Sequence, residues 1–298
     1  MASRSDAGRV LVTGCSGFTG RYIAERLGAS GYEVFDPEAD GRRFDLTEPA
    51  SLAPVVAEAR PDYVIHLAAL SFVAHADVVA FYRVNTLGTT NLLDALLAGG
   101  NPPRRVIVAS SANVYGNSTA DPITEATPPA PVNHYAASKL AMEHLAATYA
   151  DRLSLTITRP FNYTGVGQAG QFLIPKLVEH FAEQRPVIEL GNLDVVREFS
   201  DVRAVAEAYA RLLVAAAPPV VVNLCSGVGH TLREILEDLT RLSGHRLEVR
   251  VNPAFVRANE VHRLVGSPER LRAAVGELPF RDFSATLAWM LSARRESR

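Results

Sequence analysis

Short β-branched runs alternate with helical stretches over the first 160 residues, and this alternation leaves few folds open. Residues 9–14 (RVLVTG) form a buried-strand pattern closed by glycine, and 21–31 read as a helix ended by glycine. Further strands are expected over 32–36, 62–69, 104–111 and 153–160, with helices over 51–60, about 82–99 and 135–150. Strand and helix repeated in this way predict an α/β fold, a doubly wound parallel sheet with helices on both faces. The pattern changes after Pro160. A glycine-rich stretch (FNYTGVGQAGQ), short extended pieces, a helix over 204–217, a buried strand (VVVNLCSG), an amphipathic helix and an exposed strand (HRLEVRVN) follow. The expected layout is a dinucleotide-binding domain over 1–162, rejoined by 200–230. A smaller mixed α/β substrate lobe would take 163–199 and most of 231–298.

A hydrophobic share of 48% and a charged share of 21% suit a packed core. Lys plus Arg number 30 against 32 Asp plus Glu, a net charge of −2, so no nucleic-acid or membrane-surface partner is expected. No apolar run approaches the roughly 18 residues that span a bilayer. The opening MASRSDAGR is polar and leads straight into a strand, so no secretory leader is expected. Two cysteines, Cys15 and Cys225, cannot build a disulfide framework, and a reducing, cytoplasmic compartment fits them. The eight histidines are scattered without ligand spacing, so no metal is expected.

The sharpest local motif is TGCSGFTG, 13–20. Gly14, Gly17 and Gly20 lie between a strand and a helix. Glycine there lets the backbone turn tightly and approach a pyrophosphate held on the helix N-terminus, the Rossmann arrangement. Asp36 ends the next strand, about 20 residues beyond Gly14, where a carboxylate binds an adenosine ribose diol. Asp36 favours NAD by repelling a 2′-phosphate. Arg42 and Arg43 follow closely, either to pair with that phosphate or to stand as solvated loop charges, so NADP stays open.

The second constellation is Tyr135-x-x-x-Lys139, one helical turn apart on one face. A lysine ammonium beside a tyrosine is expected to lower the phenol from its reference of about 10, fitting it to exchange a proton with an alcohol or ketone oxygen. SSANVYG, 110–116, lies just past the fourth strand, at the carboxyl edge where such sheets bind ligands.

Together these motifs resemble the extended short-chain dehydrogenase/reductase superfamily, and within it the nucleotide-sugar-modifying enzymes. The resemblance runs through TGCSGFTG, Asp45-Leu46, HLAA at 66–69, NTLGT from Asn85, SSANVYG, YAASK and TRPFN at 158–162. RPFNYTGVGQ, GNLDVVREFSDV, VNLCSG and VRANEVHRLVGSPERL narrow it to reductases of GDP-4-keto-6-deoxy-D-mannose and to their relatives, the GDP-mannose 4,6-dehydratases. The implied catalytic residues are Ser111 on the sugar oxygen, Tyr135 as general acid and Lys139 on the nicotinamide ribose. The implied cofactor residues are Gly14, Ser16, Gly17, Phe18, Thr19, Gly20, Asp36, Asp45, Leu46, Leu67, Ala68, Ala69, Asn85, Ser110, Tyr135, Lys139 and Pro160. Substrate would meet Ser71, Asn113, Asn162, Lys176, Arg197, Arg257 and Glu260, the arginines suiting a GDP-sugar diphosphate. A homodimer through the helices at 82–99 and 135–150 is also implied. Tyr163 and Val166 depart from the usual His and Pro of RPFNHTGPGQ, and Glu277 stands where a Trp often occurs.

The 4,6-dehydratases carry a carboxylate two residues after the Ser/Thr. Here the matching positions are Ala112 and Asn113, which take no proton from carbon at neutral pH. The expected reaction is therefore NAD(P)H-dependent reduction of the 4-keto group, giving GDP-D-rhamnose or its C4 epimer. A nucleotide-sugar 4-epimerase is the alternative. A dehydratase or a non-catalytic NAD(P)-sensing protein on the same fold stands behind both.

Overall fold

The computed structural model describes residues 7–72, 76–255 and 262–296. The first half consists of β1 (Arg9–Thr13), α1 (Phe18–Ala29), β2 (Glu33–Phe35), α2 (Pro49–Ala59), β3 (Tyr63–His66), α3 (Val78–Phe81), α4 (Gly88–Ala98), β4 (Arg105–Ala109), α5 (His134–Ala147) and β5 (Leu155–Pro160). The second half adds β6 (Tyr163–Thr164), α6 (Leu173–Ala182), β7 (Val187–Leu190), β8 (Val196–Glu198), β9 (Ser200–Asp201), α7 (Val202–Val214) and β10 (Val221–Leu224). Then come β11 (Gly229–Thr231), α8 (Leu232–Ser243), β12 (Glu248–Val251), β13 (Arg263–Leu264), α9 (Glu269–Val275) and α10 (Phe283–Glu296).

Six strands make one parallel sheet in the order β10-β5-β4-β3-β1-β2. Their apolar runs are buried on both faces because each face carries helices: Val10, Leu11, Val12, Val64 and Ile65 are all fully buried. One core joins β1 and β3 to α1, α7 and α9 through Ile23, Leu27, Tyr209, Leu212 and Leu271. The other joins the opposite face to α2, α4 and α5 through Leu52, Leu92, Leu96, Met142 and Ala146. The chain leaves β1 for β2 on one side and returns to β3 on the other. The crevice between β1 and β3 is thus the switch point at which doubly wound sheets take ligands.

The rest of the chain builds a second core. α6, α8 and α10 pack through Leu177, Phe181, Leu239, Leu287 and Leu291 against the parallel pair β7/β12. α8 starts with a reciprocal cap, Thr231 and Glu234 each binding the other's backbone N–H. A further small sheet has the order β11-β8-β13. α9 returns to the large sheet, with Leu271 and Leu278 in the first core.

Element bounds depart from expectation where backbone polar groups find other partners. The third strand ends at His66 rather than 69, because the N–H groups of Leu67 and Ala68 donate to the Thr13 hydroxyl at 3.2 Å and turn the chain off the sheet. The single helix expected near 82–99 is instead a π-helical segment, Tyr82–Leu87, followed by α4. Among the described residues, no helix is long and apolar enough to cross a membrane.

Candidate active site

The carboxyl ends of β1, β3, β4 and β5 open into a cleft of about 1080 Å³ that continues to the second lobe. Its floor begins at the glycine loop. Gly14 has φ +69°, and a Cβ there would come within 3.0 Å of the Ala68 nitrogen. A Cβ on Gly20 would lie 2.1 Å from the Gly14 carbonyl, so only glycine lets α1 start this close to β1. α1 begins without a side-chain cap, leaving its first N–H groups turned to the cleft. A bare helix N-terminus on a glycine cradle fits a dinucleotide diphosphate. Gly17, Phe18 and Thr19 would meet that group, with Leu67, Ala68 and Ala69 beside it.

Ser111 and Tyr135 face each other across the cleft from β4 and α5. Ser111 lies two residues past β4 and caps a short 3₁₀ turn by accepting from Asn113 N at 3.2 Å. α5 is capped by Asn133, whose Oδ1 accepts from Ala136 N at 2.8 Å, and this cap fixes the turn carrying Tyr135. The Tyr135 ring packs edge-on to Phe81, and its hydroxyl bonds Ser111. Lys139 donates to the Ala109 carbonyl at 2.7 Å.

The electrostatics correct one expectation. Burial pushes the Tyr135 phenol up to about 12, against the lowering influence of the Ser111 bond, so the phenol is protonated near neutrality. The expected lowering by lysine does not act on this phenol; Lys139 donates its ammonium proton to Ala109 instead. Burial in turn pulls Lys139 down to about 8.

Other expected positions distribute as follows. Gly14, Gly17, Phe18, Thr19, Gly20, Leu67, Ala68, Ala69, Ser110 and Pro160 line the cleft, as do Ser71, Asn113, Asn162, Lys176 and Arg197. Ser16, Asp36, Asp45, Leu46 and Asn85 do not. Asn85 lies beneath the floor and braces it, receiving Leu70 N at 2.8 Å and donating to Leu70 O and Ser138 Oγ at 3.1 Å. Leu46 is buried against Gly88, and Asp45 binds Thr47. Asp36 stands just past β2 and accepts from Glu38 N at 3.0 Å. Both carboxylates help burial raise the nearby Cys15 thiol to about 11, so that thiol is no nucleophile. Arg257 and Glu260 lie outside the described residues.

The family model for the NAD dependent epimerase/dehydratase family matches residues 10–225. The chain belongs to this family. A GDP-6-deoxy-D-talose 4-dehydrogenase from Aggregatibacter actinomycetemcomitans is 37% identical to it over 90% of this chain and 91% of its own length. A GDP-6-deoxy-D-mannose reductase from Pseudomonas aeruginosa strain PAO1 is also 37% identical, over 95% and 96%. The solved structure of RMD from Pseudomonas aeruginosa complexed with NADPH is 36% identical over 98% of this chain and 100% of that one, with a TM-score of 0.90.

In this family member, the departures noted in the sequence tie the glycine helix to the segment after β5. Tyr163 stacks on Phe18 at 6.2 Å and shares a hydrogen bond with Thr19 at 2.8 Å, while the Val166 carbonyl accepts from Tyr22 at 2.7 Å. Glu277 instead offers its carbonyl to Arg211 at 2.7 Å, far from the cleft. Sequence reading missed Tyr209, Glu189, Asn192, His230 and Phe255, all on the cleft wall. None sits in a local motif: Tyr209 comes from α7 on the large sheet, and the others arrive with the second lobe. Among the described lining residues Glu189 is the only carboxylate, and it belongs to β7 of the second lobe.

Proposed function

We propose that the protein reduces the 4-keto group of a GDP-4-keto-6-deoxy-hexose with NAD(P)H, giving GDP-D-rhamnose or its C4 epimer. One observation carries this reading. Ser111 and Tyr135 converge on one point of the cleft, while the only carboxylate among the described lining residues, Glu189, comes from the second lobe. The two GDP-6-deoxysugar relatives support the substrate class.

A bound nicotinamide supplies the hydride. Tyr135 holds the proton that the new alkoxide needs, and its raised pKa keeps that proton in place until charge builds on the sugar oxygen. Ser111 offers a second hydrogen bond to the same oxygen. Lys139, largely protonated at pH 7, supports the phenol and holds the nicotinamide ribose. Ser71, Asn113 and Asn162 would meet the sugar, Lys176, Arg197 and Arg257 the nucleotide diphosphate, and Glu260 the nucleotide ribose. Gly14, Ser16, Gly17, Phe18, Thr19, Gly20, Leu67, Ala68, Ala69, Ser110 and Pro160 would hold the dinucleotide, with Asp36, Asp45 and Leu46 toward its adenosine end.

NAD is the preferred form in this reading. Asp36 and Glu38 put two carboxylates beside the glycine loop. Arg42 is already held by Glu58 at 2.8 Å and by Asp40 at 3.1 Å, and Arg43 is paired with Glu48. A 2′-phosphate would thus have to compete for both guanidinium groups. A cytoplasmic setting suits Cys15 and Cys225, both buried and unpaired. α5 and the helical run through Tyr82–Leu87 and α4, with Leu145 and Leu87 exposed, would meet the same elements of a second copy in a homodimer.

The test is incubation with GDP-4-keto-6-deoxymannose and either NADH or NADPH. The reading expects one cofactor oxidised per GDP-6-deoxyhexose formed. Unchanged substrate, together with interconversion of UDP-glucose and UDP-galactose, would establish the epimerase instead.

A further inference from the structure

Directly behind Ser111, Tyr135 and Lys139 lies a buried ion pair, neither of whose members faces the cleft. Glu143 is one turn beyond Lys139 on α5, and Arg159 is on β5; each is 5% exposed. Arg159 grips the carboxylate from two sides, its Nε donating at 2.9 and 3.2 Å and its Nη2 at 2.5 Å. Its other terminal nitrogen donates to the Tyr115 hydroxyl at 3.0 Å, which donates to Asn223 Oδ1 at 2.6 Å. On the opposite side the Ser110 hydroxyl donates to Glu143 Oε1. One carboxylate therefore ties α5 to the carboxyl ends of β4 and β5. These elements carry Tyr135 and Lys139, Ser111, and Pro160 with Asn162 just beyond it.

A pair this buried is a poor device for stability alone, since apolar residues of similar volume often do as well or better. What it supplies is a fixed geometry and one negative charge next to Lys139. We propose that Glu143 is a positioning residue for this site: anchored by Arg159, it locks Ser110, and through it Ser111, against α5, and its charge keeps Lys139 an ammonium. The proposal rests on the roles given above to Tyr135 and Lys139.

The groups around Lys139 fit that assignment. Tyr135 and Glu143 share its helix, His66 ends β3, and Arg159 stands beyond Glu143. His66 is neutral, pushed down to about 3 first by burial and then by the Lys139 charge. Burial works against the ammonium, and Glu143 is the group that pushes back.

Glu143→Gln removes the charge and keeps the shape. Because it leaves Arg159 unpaired, a second variant, Glu143→Met with Arg159→Met, removes both charges together. The readouts are thermal melts, NADH binding by fluorescence, and the pH profile of reduction of GDP-4-keto-6-deoxymannose. The proposal expects the alkaline limb of cofactor binding and turnover to move down by about one pH unit, with turnover at pH 8 reduced about fivefold. It expects this even where the double variant melts near the parent. A folded double variant with parental limb and turnover would overturn it and leave the pair as packing. Should both variants fail to fold, Glu143→Asp keeps the charge and shortens the reach. Lower turnover with the limb in place supports the positioning role, and parental turnover overturns it. Tyr135→Phe in the same assay separates the two levels. If it keeps turnover, the reading of the site itself fails; if it loses turnover while the folded double variant behaves as the parent, only the Glu143 proposal fails.

Discussion

Tyr135 is a phenol in a dry pocket, and its chemistry turns on one hydroxyl. Tyr135→Phe should lower turnover by about 10²- to 10⁴-fold while NADH binding, measured by fluorescence, survives. Lys139→Met should cost both turnover and cofactor affinity, since the ammonium serves both. Because burial brings Lys139 down to about 8, its protonated form is lost above that pH, and turnover should fall there on a single limb. Asp36→Ala should weaken NADH more than NADPH, because only the former offers a free 2′-hydroxyl. An unchanged ratio of their affinities would move attention to Arg42 and Arg43. At this scale the sequence was most informative where chemistry is local. The three glycines, Tyr135 with Lys139, and Ser111 lie in short motifs whose spacing implies their geometry. Glu143 and Arg159 are far apart in sequence and partner only once β5 lies under α5. Glu189 and His230 reach the cleft from strands that carry no motif.

The segment after β3 shows how an element end becomes a binding surface. His66 is buried between two hydroxyls, its Nδ1 at 2.7 Å from Thr13 and its Nε2 at 2.9 Å from Thr89. Thr89 gives its own proton to the Asn85 carbonyl at 2.8 Å, so His66 donates from Nε2 and accepts at Nδ1. The same Thr13 oxygen receives the N–H groups of Leu67 and Ala68, so this chain of bonds holds the cleft floor in place. The folded pKa of about 3 lies below the ordinary 6.5 because the fold holds the neutral ring. The stability tied to it is full above pH 6.5 and is lost progressively as pH falls toward 3. Between pH 6.5 and 4.5 this amounts to about 2 kcal/mol. His66→Gln, whose amide does not titrate, should show a shallower loss of stability in urea melts over that range. Equal slopes would remove His66 from the acid response. The strand itself was visible in the alternation, whereas its early end was not. A threonine hydroxyl capturing two backbone N–H groups across strands leaves no periodic trace, and neither does the π turn at Tyr82–Leu87.

Across the whole molecule, the parallel sheet with helices on both faces followed from the strand and helix alternation, whereas its strand order and switch point came only with the fold. Doubly wound sheets have few ways to connect short strands through helices. The second lobe was harder to read because its strands are two to four residues long and pair across large sequence gaps, as β7 does with β12. Leu87, just before α4, and Leu145 on α5 are exposed apolar side chains. Sedimentation should give a dimer, and Leu145→Glu should shift it to monomer without changing the melting profile of the fold by more than a few degrees. A monomeric parent would discard that surface as an interface. The same lobe arrangement bears on the chemistry, since the cleft brings a phenol, a serine hydroxyl and a glycine cradle together, and its one carboxylate among the described lining residues, Glu189, belongs to the second lobe. GDP-mannose with NAD should accordingly yield no 4-keto-6-deoxy product. The most direct measurement uses NADH deuterated at the transferring position with GDP-4-keto-6-deoxymannose, followed by NMR of the sugar. The account expects one cofactor oxidised per product and one deuterium at C4. Product without deuterium at C4, or epimerisation of a nucleotide sugar with no net cofactor use, would contradict it.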